Sequence, residues 1–154
     1  MIKIHKSETA DTRSCDFSKV SRDTLYLSSV QHINDVRQAL ELFATMLEQA
    51  SHIHDWDKLE GIEHFHADFI TGFKQTGWWD NHRKVNRHHL LEPDGVPADV
   101  NLIDVLDMIA DCVMAGMART GTVYPLNISP EILMNAFVNT VEKLKANVEI
   151  VDGV

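Results

Sequence analysis

The sequence predicts an all-α protein, a single-domain helical bundle of about five helices. Apolar residues recur at three- and four-residue steps over several long stretches, turn-forming residues separate these stretches, and no convincing strand pattern or internal repeat is present. Hydrophobic residues make up 44% of the 154 residues, which is enough for a buried core. We predict a polar N-terminal segment over residues 1–24, the helical domain over 25–148 and a C-terminal tail over 149–154.

Two helices are predicted in the N-terminal half. Before them, Met1–Ile4 alternates briefly, as an edge strand or a loose segment would. The first helix is predicted from Ser28-Ser29, which can cap it, and its apolar side consists of Ile33, Val36, Leu40, Phe43, Leu47 and Ala50. The second helix is predicted from about His54 to Phe73, and the end signal Thr76-Gly77 follows it.

Three more helices are predicted in the C-terminal half. The third spans about Asp80 to Leu91, and Pro93–Pro97 then forms a turn, because each proline disfavours helix in the residue before it. The fourth opens near Asp99 or Asn101 and runs to about Arg119. Ser129-Pro130-Glu131 predicts the start of the last helix, since serine caps, proline fits the first turn and glutamate complements the helix dipole.

The formal net charge of −9 argues against general binding of nucleic acid, because a polyphosphate backbone requires clustered lysine and arginine. The nearest basic group is Arg83, Lys84 and Arg87. These three side chains can hold a single phosphate group, or they can be the solvated side of a helix. The composition alone leaves both interpretations open.

The sequence predicts a reducing, cytoplasmic location. Its two cysteines, Cys15 and Cys112, lie in a polar stretch and in an apolar helical stretch, so a disulfide framework is not expected. The chain begins without a charged-then-apolar leader, and no apolar run approaches the roughly 20 residues that cross a bilayer. We therefore expect no membrane partner.

Histidine is enriched, with nine residues in a short acidic chain. Seven of them form the groups His52/His54, His64/His66 and His82/His88/His89. Either chance or a metal site accounts for this enrichment. His5, His52, His64 and His66 are expected to lie on the surface.

Several polar residues fall on apolar helix faces. Helical geometry places His32 within the apolar stripe of the first helix, where it is either a core histidine with one hydrogen bond or a ligand. Asp104, Asp107 and Asp111 form one narrow acidic line on a fourth helix that is otherwise almost entirely apolar. That line faces either water or an internal site.

The pair His54-Asp55 opens the second helix, where aspartate is also common as a cap. Taken alone, capping would explain it. Its joint occurrence with an inward histidine, a second histidine pair and an acidic line favours a metal site, because imidazole and carboxylate bind Mn, Fe, Co, Ni or Zn. Facing helices of a bundle supply such ligands.

The order His32, His54-Asp55, Asp104 resembles the H…HD…D signature of the HD superfamily of metal-dependent phosphohydrolases, which are all-α. The sequence is also similar to a poorly characterised family of short bacterial and phage proteins with the motifs HDxSKLE, HxxxxxNRHH and NLIDxxEM. The matching residues here are His54–Glu60, His82 with Asn86–His89, and Asn101–Asp104 with Asp107-Met108, and three residues rather than five separate His82 from Asn86. Asp57 stands for serine and Asp107 for glutamate.

The resemblance implies an HD-domain-like helical bundle with one or two divalent transition metals per chain. It implies that the first metal is held by His32, His54, Asp55 and Asp104, and it selects Asp104 over Asp107. Asp55 would bridge to a second metal bound by His82, His88 or His89. Lys58 and Arg87 would contact phosphate, so the expected catalytic residues are Lys58, Asp55 and Arg87.

The function implied is hydrolysis of a phosphate ester or anhydride in a nucleotide, either a deoxynucleotide or a signalling nucleotide. Two alternatives remain at this stage. One is an HD-like di-iron oxygenase, and the other is a non-catalytic helical binding protein stabilised by metal. The expected partner is a small phosphorylated substrate rather than a nucleic acid duplex, and the sequence leaves open whether the protein is a homo-oligomer.

Overall fold

The computed structural model describes residues 1–6 and 17–151. Helices account for 67% of these residues, so the predicted all-α class is confirmed. The chain forms two compact units, one from residues 1–45 and 142–154 and the other from residues 46–141. Cys15 lies outside the described residues. Within the described ranges, no helix is both long enough and apolar enough to cross a membrane.

The first unit contains a two-stranded parallel sheet. Strand β1 (Ile2–His5) pairs with β2 (Val148–Val151), with Ile2 opposite Val148 and His5 opposite Val151. Of the two alternatives for the start of the chain, the structure therefore has the strand. Strand β2 was not predicted, because Val148–Val151 ends in two adjacent apolar residues and so does not alternate along its length.

Helix α1 (Arg22–Ile53) is longer than predicted. It begins before Ser28, and the hydroxyl of Ser21 accepts the backbone N–H of Thr24 at 3.1 Å near its start. The residues of the predicted apolar side are not all covered: Ile33, Val36, Leu40 and Leu47 are between 41% and 61% exposed. Helical spacing places residues on the same side of a helix, but it does not show that this side is buried.

In the second unit, the predicted helix His54–Phe73 is two shorter helices, α2 (Trp56–Glu60) and α3 (Ile62–Phe69). They meet at Gly61, whose N–H donates to the carbonyl of Asp57 at 2.9 Å. After α3, the fully buried carboxylate of Asp68 accepts the N–H groups of Thr76 at 3.0 Å and Trp79 at 3.2 Å. These bonds lower the pKa of Asp68 and tie the loop to the next helix.

Helix α4 (Trp78–Val85) is shorter than predicted and ends at Asn86. The following segment, which contains His88 and His89, is not helical. A short 3₁₀ helix (Pro93–Gly95) lies where the turn was predicted. Gly95 has no room for a side chain, since a Cβ there would lie 2.4 Å from the carbonyl oxygen of His89. The histidine segment is thus packed closely against this turn.

Helix α5 (Leu102–Thr120) starts at the capping residue Asn101, and α6 (Pro130–Ala146) starts at the predicted Pro130. The buried core of this unit comprises Leu90, Val100, Val105, Met108, Cys112 and Ala136. Helix α5 contributes three of these residues. Cys112 is a free, buried thiol whose pKa is raised by burial.

Candidate metal centre

Imidazole and carboxylate groups from three parts of the second unit meet at one place. His54 follows the last residue of α1, Asp55 caps α2, His82 lies on α4, and His88 and His89 lie in the segment after α4. The rings of His54 and His88 stack with their centroids 4.4 Å apart. The structure therefore brings together the five predicted ligands of the second unit other than Asp104.

Asp55 lies at the centre of the cluster. Its Oδ1 atom is 3.4 Å from Nε2 of His82 and 3.6 Å from Nε2 of His88, and its Oδ2 atom is 3.5 Å from Nε2 of His54. Two groups of residues can each hold a metal ion, because their ligand atoms lie within 4.8 Å of one another. One group is His54, Asp55 and His88, and the other is Asp55, His82 and His89. Asp55 belongs to both.

The cluster contains buried polar atoms without partners. Among the residues the structure describes, five buried side-chain atoms lack a hydrogen bond, and four of them are Asp55 Oδ1 and the Nε2 atoms of His82, His88 and His89. Buried polar atoms in proteins nearly always have a partner, so four together indicate a missing ligand. A metal ion fits a set made of one carboxylate oxygen and imidazole nitrogens.

Carboxylates outside the cluster orient the imidazole rings. Nδ1 of His82 is 2.9 Å from both oxygens of Asp57, and Nδ1 of His54 is 2.8 Å from Oδ1 of Asp107. Because an ionised carboxylate only accepts hydrogen bonds, each Nδ1 carries the proton and donates it. In the neutral form of each ring, the lone pair is then on Nε2, the atom that faces Asp55.

The protonation of the buried histidines suits metal binding. Burial lowers the pKa of His82, which stacks against Trp78 and Trp79, and burial with the nearby His88 lowers the pKa of His89 to about 3. Both rings are therefore neutral near pH 7. His54 differs, because its hydrogen bond to Asp107 raises its pKa. Metal binding at His54 therefore competes with protonation of its ring.

The carboxylates of the site are held ionised. Burial raises the pKa of Asp55, but the hydrogen bond donated by the Lys58 ammonium, together with the charges of Lys58, His54 and His88, outweighs it and the net pKa is lowered. Burial likewise opposes the ionisation of Asp107, but its hydrogen bonds with His54 and His88, together with its charge interactions with both rings, outweigh burial and lower its pKa. Asp111 lies nearby, with Oδ1 4.0 Å from Nε2 of His54. The cluster thus has the negative charge that a cation requires.

Asp104 and Arg87, predicted as a ligand and a phosphate contact, are bonded to each other. Arg87 donates from Nε to Asp104 Oδ1 at 2.8 Å and from a terminal nitrogen to Oδ2 at 2.9 Å, and it also pairs with Asp99. Oδ2 of Asp104 additionally accepts the N–H of Asn101 at 2.8 Å, completing the cap of α5. Both oxygens are occupied, and Asp104 belongs to neither ligand group. Asp107, one turn later, contacts the histidines instead.

His32, the other predicted ligand, is an exposed residue of α1 in the first unit. The ligand groups found among the described residues do not include it. Its inward direction was inferred from its position on an apolar stripe, and its place among the metal ligands was implied by the resemblance; the structure leaves that stripe exposed. His5, His52, His64 and His66 are exposed, as predicted.

Three residues of the site were not given their observed roles by the sequence. Asp57 was noted only as the residue that stands for serine in the motif, and it orients His82, while Asp107 orients His54. Asn86 bonds to both Asp55 and Asp57. Their proximity to ligand positions in the motifs was a signal that they contribute to the site, but it did not identify their partners.

Comparison of the chain with protein-family models, with curated proteins and with solved structures gives no match. The relationship to the HD superfamily therefore stays a prediction from the motifs.

Proposed function

We propose that this protein is a metal-dependent phosphohydrolase that cleaves a phosphate ester or anhydride of a nucleotide. The observation that carries the proposal is the set of four buried, unpartnered ligand atoms around Asp55. The substrate class comes from the resemblance of the motifs to the HD superfamily. The proposed centre uses Asp107 as a supporting carboxylate and does not include His32 or Asp104.

In this proposal, His54, Asp55 and His88 hold one divalent transition metal, and Asp55, His82 and His89 hold a second. Asp55 is the shared ligand because it is the residue common to the two groups. A pair of such ions, when bound, activates water and neutralises charge that develops on a phosphoryl group. Mn, Fe, Co, Ni and Zn all accept imidazole and carboxylate ligands.

Lys58 is the cationic side chain best placed to contact the substrate. Its ammonium group donates to Oδ2 of Asp55, and its side chain is 31% exposed, so it lies at the rim of the cluster. An ammonium cannot ligate a metal, but it can pair with a phosphate oxygen. Arg87 is not part of this contact in our proposal, because Asp104 and Asp99 already bind its guanidinium group.

Metal analysis followed by an activity panel tests the proposal. Protein purified without chelators should contain at least one transition metal per chain, and its apo form should regain metal when Mn, Fe, Co, Ni or Zn is added. Each metal form is then incubated with deoxynucleotides, ribonucleotides and signalling nucleotides, and phosphate or pyrophosphate release is measured. Release that requires metal is the expected result.

Other outcomes would replace the proposal. Bound iron with an optical or paramagnetic signature and no phosphate release would favour the di-iron oxygenase. A metal that raises the thermal stability without any turnover would favour a non-catalytic binding protein. If none of the five metals binds stoichiometrically, the proposal that the cluster is a metal centre is wrong.

A further inference from the structure

The side chain of Asn86 links the backbone and side chains on which two proposed ligands depend. It is 3% exposed and lies at the C-terminal end of α4. Its Oδ1 atom accepts the backbone N–H of Asp55 at 3.1 Å, and its Nδ2 atom donates to Oδ1 of Asp57 at 2.8 Å. Nδ2 also lies 3.1 Å from the carbonyl of His82, one turn earlier on the same helix.

The bond to Asp55 supports an unusual backbone conformation. Asp55 has φ 54° and ψ 23°, the left-handed region that residues other than glycine rarely adopt. The direction of its side chain depends on this conformation, which leaves Oδ1 between His82 and His88. By accepting the N–H of Asp55, Asn86 holds the ligand shared by both groups in place.

The bond to Asp57 acts on the second group. Asp57 accepts the Nδ1–H of His82, and Nδ2 of Asn86 donates to the same Oδ1 atom of Asp57. This arrangement leaves Nε2 of His82 as the atom available to a metal. Asn86 is therefore joined to both ligand groups, whereas Asp57 is joined through His82 to one of them.

We propose that Asn86 is a positioning residue that sets the affinity of both metal sites through Asp55 and of one site through Asp57. This inference rests on the proposed metal centre. An amide suits the position because it presents an acceptor to the Asp55 N–H and a donor to the Asp57 carboxylate at once. Aspartate has the same shape and keeps the acceptor, but it would set a second carboxylate against Asp57.

The test is titration of the apo protein with Co²⁺, monitored by visible absorption and by competition with a chelator. Asn86→Ala should lower the affinity for both Co²⁺ ions by about 10–100-fold, the range seen when residues that support ligands are removed. Asn86→Asp and Asp57→Asn should lower the affinity for one Co²⁺ ion much more than for the other. The absorption bands of the ion whose binding is weakened should also change. Asn81→Ala, at an exposed asparagine of the same helix, should bind as the wild type does.

The outcomes separate the two proposals. If the wild type binds no Co²⁺, the metal centre fails and the role of Asn86 fails with it. If the wild type binds two ions and Asn86→Ala binds them with unchanged affinity, the metal centre stands and the role of Asn86 is overturned. Circular dichroism of each apo variant checks folding. If Asn86→Ala does not fold, Asn86→Asp and Asp57→Asn test the role of Asn86 instead. An equal loss of affinity for both Co²⁺ ions in these variants contradicts the inference.

Discussion

The first two turns of α5 carry carboxylates three residues apart on one side of the helix, and the fold gives them different partners. Asp104 is bonded to the guanidinium of Arg87 and to the N–H of Asn101. Asp107 contacts the imidazole rings of His54 and His88. A carboxylate that binds arginine and caps a helix stabilises local structure, whereas one that accepts an imidazole proton leaves the other ring nitrogen available to a metal ion. The partner therefore decides the role of each aspartate.

The largest expected effect is that of replacing Asp55, the proposed ligand of both metals. Asp55→Asn keeps the size of the side chain and tolerates the left-handed backbone, but it removes the charge that both groups use. We expect loss of stoichiometric metal and of any metal-dependent turnover. Elemental analysis after dialysis measures this. Asp80→Asn is a suitable control because Asp80 is exposed and pairs only with Arg83 among the described ion pairs; a metal-replete Asp55→Asn protein would rule out a shared ligand.

A smaller loss of metal affinity is expected for Asp107→Ala, because it removes a carboxylate that orients His54 and lies 3.5 Å from Nδ1 of His88. The expected change is about 10–100-fold in affinity. Competition with a chelator measures it. An affinity equal to that of the wild type would show that Asp107 does not support the ligands. Asp107 and Asp104 would then not differ in their effect on metal affinity.

Asp104→Ala should show the opposite pattern. Metal affinity should stay close to that of the wild type, while the free energy of unfolding falls by about 1–3 kcal/mol, since the cap of α5 and a charged hydrogen-bond partner of Arg87 are lost. Chemical denaturation of the apo protein gives the stability, and Co²⁺ titration gives the affinity. If Asp104→Ala loses its metal with the fold intact, the ligand assignment implied by the resemblance is correct and ours is not.

The smallest structural effect is expected for Lys58→Ala. Its ammonium bonds Asp55 at the rim of the cluster, so metal content and folding should remain near those of the wild type while turnover or substrate affinity falls. Steady-state kinetics on the substrate found in the nucleotide panel checks this, with Lys74→Ala as the control at an exposed lysine. Loss of metal in Lys58→Ala would contradict the proposal that Lys58 contacts the phosphate of the substrate.

The comparison of Asp104 with Asp107 also shows where sequence reasoning reached its limit. The acidic line on α5 was visible in the sequence, and so was the alternative that it faces an internal site. The resemblance then selected Asp104 as the ligand. The bonds to Arg87 arise from residues that lie seventeen positions apart, and such a pairing leaves no local signal in the chain.

His32 illustrates the same limit for a helix. The spacing of Ile33, Val36 and Leu40 correctly indicated a helix and a common side, and His32 was placed with them. Periodicity describes directions around one axis, but burial depends on whether another element covers that side. In the described residues this side of α1 is exposed.

The sequence by itself determined the helical class, the start of α6, the turn at Pro93–Gly95 and the supply of imidazole and carboxylate groups. These features depend on residues close together in the chain, where capping, backbone preference and side-chain chemistry act locally. Only the tertiary structure decided that Asp55 is shared between two ligand groups, that Asp107 rather than Asp104 contacts the histidines, and that Asn86 connects Asp55 to Asp57. Each of these depends on the distance between segments far apart in sequence, which packing sets and local preferences do not.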